Sequence, residues 1–80
     1  MWIRTQDRLT LANVDRVRNI YVDKLTIINL RYLIYADDLI LGSYSSEDNA
    51  IDALAYIQEC IYLGKNEMFM PLEKDGELLK

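Results

Sequence analysis

The eighty-residue chain has no histidine, one cysteine (Cys60), one proline (Pro71) and three glycines. A lone cysteine cannot form an internal disulfide, and without histidine or a second cysteine no thiolate or imidazole zinc site can be built. Cys-His and Ser-His nucleophilic catalysis are excluded within one chain for the same reason. No apolar run approaches the roughly 18 residues that span a bilayer. The opening Met1-Trp2-Ile3-Arg4-Thr5-Gln6-Asp7 shows no basic region followed by an apolar stretch, so it is not expected to be a signal peptide. The expectation is a cytoplasmic protein without membrane contact. Low-complexity segments, repeats and linkers are also lacking.

What is present is the composition of an ordinary globular domain, 51% hydrophobic and 28% charged. Eighty residues make one domain whose core is small, and oligomerisation is a common supplement to such a core. The expected organisation is a single domain over 1–72 with a charged, frayed tail at 73–80. Net charge is −4 but unevenly placed: residues 1–36 carry six basic and three acidic groups, a net +3, and residues 37–80 a net −7. One reading is an ordinary solvated surface. The other is a polar molecule whose basic half meets an anionic ligand or another copy's acidic half. Overall negative charge argues against generic nucleic-acid binding.

The first half reads as strands. Trp2–Thr5 alternates apolar and polar, and Gln6-Asp7-Arg8 is a turn. Leu9–Val14 is a second strand, with Leu9 and Leu11 on one face, and Asn19–Asp23 is a third. A turn at Asp23-Lys24 leads into nearly continuous apolar sequence to Leu41, read as strands over 25–35 and 39–44 around a turn at Ala36-Asp37-Asp38. The helix is the plainest element. Ser45 and Ser46 offer capping hydroxyls, and Glu47, Asp48 and Asp52 sit where the helix dipole favours negative charge. Ala50, Leu54, Ile57 and Ile61 form an apolar stripe flanked by Ala53 and Cys60, and Gly64 suits a left-handed C-terminal cap. The predicted helix covers 46–63, followed by a short strand over 67–70 closed by Pro71. The fold class is α+β: a small antiparallel sheet or roll of five to six strands covered by one helix.

Tyr35-Ala36-Asp37-Asp38 resembles the catalytic tetrapeptide of reverse transcriptases, in which a hairpin presents two carboxylates to magnesium. Such a site needs a third carboxylate from an upstream strand and room for further subdomains. Upstream, Asp7, Asp15 and Asp23 lie in sequence without a helical segment. The similarity is therefore read as coincidental and the pair of aspartates as turn residues. A metal-dependent nucleic-acid enzyme is the remote alternative, and no catalytic residue, metal or cofactor is assigned.

A second resemblance covers more of the chain. The MWIRTQD opening, Leu11-Ala12-Asn13-Val14, the segment Leu41-Gly42-Ser43-Tyr44-Ser45-Ser46-Glu47 and Met68-Phe69-Met70-Pro71 are similar to a family of very small uncharacterised proteins of Gram-positive bacteria and their mobile elements. The chain departs from it at Tyr32–Asp38, where the middle is longer and more apolar. The resemblance implies a complete bacterial or phage-related protein of this fold, and brings no reaction with it.

Gly42 within a strand marks a bulge or a close backbone approach. Trp2 reads as a core or sheet-face anchor, Tyr44 as a cover over the helix start and Cys60 as a small buried hydrophobe. Arg4, Arg16 and Arg18, with Arg8, are possible anion contacts, since arginine recognises phosphate or carboxylate bidentately; their spacing does not force them together. Six tyrosines exceed what so small a core can hold. Tyr32 with Ile34, and Leu33 with Tyr35, point to opposite faces of one strand, and one helix covers only one face. Tyr32, Ile34 and Tyr35, with Ile51 and Tyr62 on the helix, are the expected self-association surface. The expected function is a non-enzymatic binding protein that forms a homo-oligomer. The alternative is a phage- or element-encoded modulator that binds a host protein or sequesters a small anionic ligand.

Overall fold

The computed structural model describes residues 1–25 and 30–79. Along the chain lie β1 (Trp2–Arg4), β2 (Leu11–Asn13), a 3-10 turn (Val14–Arg16), β3 (Ile20–Leu25), β4 (Arg31–Ala36), β5 (Leu39–Tyr44), α1 (Glu47–Tyr62), β6 (Glu67–Phe69), β7 (Leu72–Lys74) and β8 (Glu77–Leu79). The class is α+β with one helix among the described residues, as expected. Instead of one sheet there are two of three strands, ordered β2-β1-β6 and β3-β4-β5, plus the hairpin β7-β8. One pair, β1 with β6, is parallel. Its strands are far apart in sequence, which leaves room for the long crossover that parallel pairing needs.

The two sheets and the helix share one core. Ile3, Ala12, Met68 and Met70 come from the first sheet and its exit, Ile34, Ala36, Leu41 and Tyr44 from the second, and Ala50, Ala53, Ile57 and Cys60 from α1. On the helix the buried line is therefore Ala50-Ala53-Ile57-Cys60, rotated from the expected stripe. Leu54 packs at its border and Ile61 is 48% exposed. Ala53 and Cys60 are small, so the helix can approach the sheet closely along them while the bulkier side chains flank the seam. The helix ends match the sequence reading. Ser46 caps it by accepting from the Asn49 N–H, and Gly64 follows at a φ of +69°.

Other expectations fail for identifiable reasons. Asp23-Lys24 is no turn: both continue β3, paired with Leu33 and Tyr32 of β4. Much of the remaining stretch assigned to a long strand, 26–29, lies outside the described residues. Leu9 belongs to the turn before β2, and Ala12 is that strand's buried residue. Of the two places read for Trp2, the core fails and the sheet face holds: Trp2 is 48% exposed because Ile3 takes the inward position of a three-residue strand.

Gly42 has both roles predicted for it. Ile34 faces Gly42 while Tyr35 faces Ile40, so Leu41 is the extra residue of a β-bulge. A Cβ at Gly42 would come within 3.0 Å of the Tyr44 hydroxyl and 3.1 Å of its ring. That ring cannot yield. Tyr44 is fully buried in the core, and its hydroxyl donates to the Pro71 carbonyl at 2.8 Å. Burial, with the nearby Glu73 carboxylate, pushes its phenol pKa far above the ordinary value, so it stays a neutral donor.

In the segment expected to be a charged tail, β7 and β8 pair as a hairpin, Leu72 with Leu79 and Lys74 with Glu77. Glu73 fastens this hairpin to the rest. Its carboxylate accepts from the Ser45 N–H and hydroxyl, each at 2.9 Å, and from the Asn49 amide at 2.6 Å, with Arg31 at 3.9 Å. Asn49 also donates to the Gly76 carbonyl at 2.7 Å. Among the charged residues of this segment, one carboxylate finds the donors at a helix start.

Two outcomes follow from these contacts. Gly42→Ala should destabilise by about 1–3 kcal/mol through overpacking against Tyr44, read by urea denaturation. Glu73→Gln should cost about 1–3 kcal/mol at pH 7, since it turns one acceptor oxygen into a donor facing donors. Burial opposes ionisation of Glu73, but the bonds from Asn49 and Ser45, aided by Arg31, outweigh it and hold its pKa below the ordinary 4.5. A depressed carboxylate pKa contributes stability that is full above the unfolded value and disappears as pH falls through the folded one. The gap between wild type and Glu73→Gln should therefore narrow on acidification below 4.5. A gap that stays constant with pH would show that the carboxylate charge is not what holds the hairpin.

Candidate functional site

The aspartate pair sits at the β4–β5 turn, as the sequence suggested, but the two residues have different surroundings. Asp37 has a φ of +51°, a left-handed conformation that Asp and Asn tolerate better than most residues. One carboxylate oxygen accepts from the backbone N–H groups of Arg18 at 3.2 Å and Asn19 at 3.1 Å, and the other from Arg18 at 3.2 Å. The Asp37 N–H in turn donates to the Asn19 carbonyl at 2.9 Å. The carboxylate therefore ties the turn to the segment leading into β3. It thus serves N–H groups of a neighbouring segment and not of its own turn. Asp38 is exposed. Among the described residues no three carboxylates or thiols gather at a point that could hold a metal.

Sheet β3-β4-β5 has two unlike faces. Toward the helix point Ile20, Val22, Tyr32, Ile34, Ala36 and Leu41, all in or against the core. Ile34 is fully buried there, so it is removed from the expected self-association surface, and Tyr32 packs on the same side. The reason is the alternation itself: the helix covers the face that carries these two, leaving Leu33 and Tyr35 on the other. On that outer face Tyr35 stacks on Tyr21 of β3, with centroids 5.4 Å apart and planes inclined by 14°. Ile40 lies opposite Tyr35 on β5 and is half exposed, and Leu25 is exposed at the far end of β3. Arg31, on the same face, donates to the Ser43 hydroxyl at 2.9 Å and the Ser43 carbonyl at 3.0 Å.

The edges of this sheet also differ. Beside β5, Gln6 donates its backbone N–H to the Leu41 carbonyl at 2.8 Å and accepts from the Ser43 N–H at 2.8 Å through its side chain. At the other edge β3 has β4 as its one strand partner among the described residues. Tyr62 is 87% exposed and Ile51 about half exposed on the helix, away from the sheet. They belong to a surface separate from the Tyr21–Tyr35 stack. An apolar cleft of about 220 Å³ runs between helix and β3, lined by Ile20, Leu54, Ile57, Gln58 and Ile61.

The arginines divide. Arg16 lies in the 3-10 turn and Arg18 beside Asp37; both are exposed. Arg4 points instead to the outer face of the first sheet, where its guanidinium carbon is 5.6 Å from the centroid of the Phe69 ring. Arg8 approaches the same ring at 4.8 Å. Arg4 is thus brought together with Arg8, not with Arg16 and Arg18. Parallel pairing of β1 with β6 places Phe69 beside Arg4, and sequence reasoning had no signal for that contact between distant segments.

No family model, curated protein or solved structure matches the chain. The site assignments rest on geometry.

The two aspartates should separate under mutation. Asp37→Ala is expected to cost about 1–3 kcal/mol, because the Arg18 and Asn19 N–H groups lose their acceptor and alanine dislikes a positive φ. Asp38→Ala should change stability by no more than about 0.5 kcal/mol, as for exposed substitutions generally. Thermal and urea denaturation of both variants checks this, and equal losses would refute the distinction.

Proposed function

We propose that this chain is a non-enzymatic binding protein that works as a homo-oligomer, assembling through the outer face of sheet β3-β4-β5. The observation that carries this reading is the Tyr21–Tyr35 stack with Ile40 beside it and Leu25 beyond, on the face opposite the helix. Helix α1 is committed to the inner face. A second copy supplies the missing layer in the simplest way, because an isologous two-fold interface brings the same patch against itself. Stacked aromatics suit such a surface, since large rigid rings bury much area at little entropy loss. The occupied carboxylate of Asp37 supports the non-enzymatic part of the reading: both of its oxygens already accept backbone hydrogen bonds.

Sedimentation equilibrium over a dilution series tests it. The wild-type protein is expected to be an oligomer that dissociates on dilution, and Ile40→Glu should weaken association by at least about tenfold, or ~1.4 kcal/mol. Ile51→Ser with Tyr62→Ser on the helix should leave association unchanged. A wild-type monomer at every concentration would sink the proposal. So would loss of assembly in the helix variant with retention in Ile40→Glu.

A further inference from the structure

Arg4 and Arg8 present an arrangement that the self-association reading does not use. Both guanidinium groups lie against one aromatic ring, that of Phe69. Neither has an ion-pair partner among the described residues, where the pairs are Met1 with Asp15 and Arg31 with Glu73. Moreover, Nε of Arg4 and one terminal nitrogen of Arg8 are shielded from solvent and have no hydrogen-bond acceptor. Buried donors of charged groups are rarely left so, because each lacks both water and a protein partner. Two like charges gathered at one ring add repulsion that an anion would relieve.

The nearest acid in sequence, Asp7, is committed elsewhere. Its carboxylate accepts from the Thr5 hydroxyl at 2.6 Å and the Leu9 N–H at 2.9 Å. These two bonds hold its pKa below the ordinary carboxylate value, so it stays ionised as a turn-former. Thr5, itself buried, also receives the Thr10 N–H, and its carbonyl accepts the Arg8 N–H at 2.9 Å. The turn thereby fixes Arg8 at a φ of +71°, a conformation unfavourable for a residue with a side chain. Glycine or asparagine would form such a turn at less strain, so the turn's geometry alone does not account for arginine there. Strain of this kind tends to collect where a side chain must be aimed.

Arg4 and Arg8 line a cleft of about 350 Å³ together with Leu9, Thr10 and Leu11. That volume falls within the range of small-molecule sites. Its surroundings are mixed: two arginines without an ion-pair partner among the described residues, beside exposed apolar Leu9, Leu11 and Phe69. We infer that Arg4 and Arg8 form a binding site for a small phosphate monoester whose phosphate is shared by the two guanidiniums and whose flat apolar body rests on the leucine side of the cleft. Phosphate is preferred to carboxylate because its additional oxygens and second charge match two forked donors. The site lies on the outer face of the first sheet and does not depend on assembly through the second.

Nuclear magnetic resonance titration of the wild-type protein at fixed ionic strength tests the site, with phenyl phosphate, inorganic phosphate and benzoate as probes. Phenyl phosphate is expected to give saturable shifts at the amides of Arg4, Arg8, Leu11 and Phe69, and to bind more tightly than either other probe. Arg8→Gln and Arg4→Gln should each weaken it by about tenfold. The Arg16→Gln, Arg18→Gln pair, with equal or greater loss of charge, should leave binding unchanged. Absence of saturation at about 10 mM, where even a millimolar ligand would be bound, overturns the proposal. So does equal weakening by the Arg16 and Arg18 substitutions, or tighter binding of benzoate. The wild-type titration decides the matter even where a variant fails to fold.

Discussion

Among the described residues one sixteen-residue helix has to close the core, and the rest of the structure follows from that limit. Its buried line is built of two alanines, an isoleucine and a cysteine, so it lies close to the sheets but contributes little volume itself. Bulk comes from the other side, from Ile34, Leu41, Met70 and above all Tyr44. Gly42 is the counterpart of that tyrosine. The ring occupies the space a β-carbon would take, and the bulge at Leu41 lets both Leu41 and Tyr44 turn inward on one strand. A core assembled in this way depends on a few close approaches, so small enlargements should be felt strongly.

Short strands also leave few ladder hydrogen bonds, and side chains make up the difference. Gln6 joins the first sheet to the edge of β5, Asp37 joins the β4–β5 turn to the segment before β3, and Glu73 joins the final hairpin to the helix start. In each case a side-chain oxygen accepts backbone N–H groups that no strand or helix satisfies. These contacts do not add much burial, but they satisfy donors whose orphaning would be costly. Two acidic residues of the second half, Asp37 and Glu73, are thereby built into the fold, while Asp38 and the acids of the helix stay exposed.

Local signals were legible in the sequence and long-range ones were not. The helix, its Ser46 cap and Gly64, the turns at Asp7 and Asp37, and the special place of Gly42 all come from patterns within a few residues. Leu33 and Tyr35 were correctly placed opposite Tyr32 and Ile34, because strand alternation is a local rule. It could not say which pair the helix would cover, and so Ile34 was assigned to a surface when it belongs to the core. The same blindness affects Phe69 and Glu73. Each acquires its neighbours from strands or turns tens of residues away, and neither carries a motif announcing it. The rotation of the helix stripe has a related cause: hydrophobicity favours Leu54 and Ile61, whereas close packing selects Ala53 and Cys60.

Because the helix serves only inner faces, both sheets expose an outer one, and the two outer faces are chemically distinct. That of β3-β4-β5 carries stacked tyrosines and aliphatic side chains with Arg31 already bonded to Ser43. That of β2-β1-β6 carries Arg4 beside Phe69, with Arg8 reaching over from the strained turn. An apolar face is completed by burial against another apolar surface, whereas unpartnered guanidiniums are completed only by an acceptor. The fold thus separates an apolar outer face from a cationic one. Of the basic first half, Arg4 and Arg8 meet at the Phe69 ring and Arg31 lies by Glu73, so the charge imbalance along the sequence does not become one basic and one acidic surface.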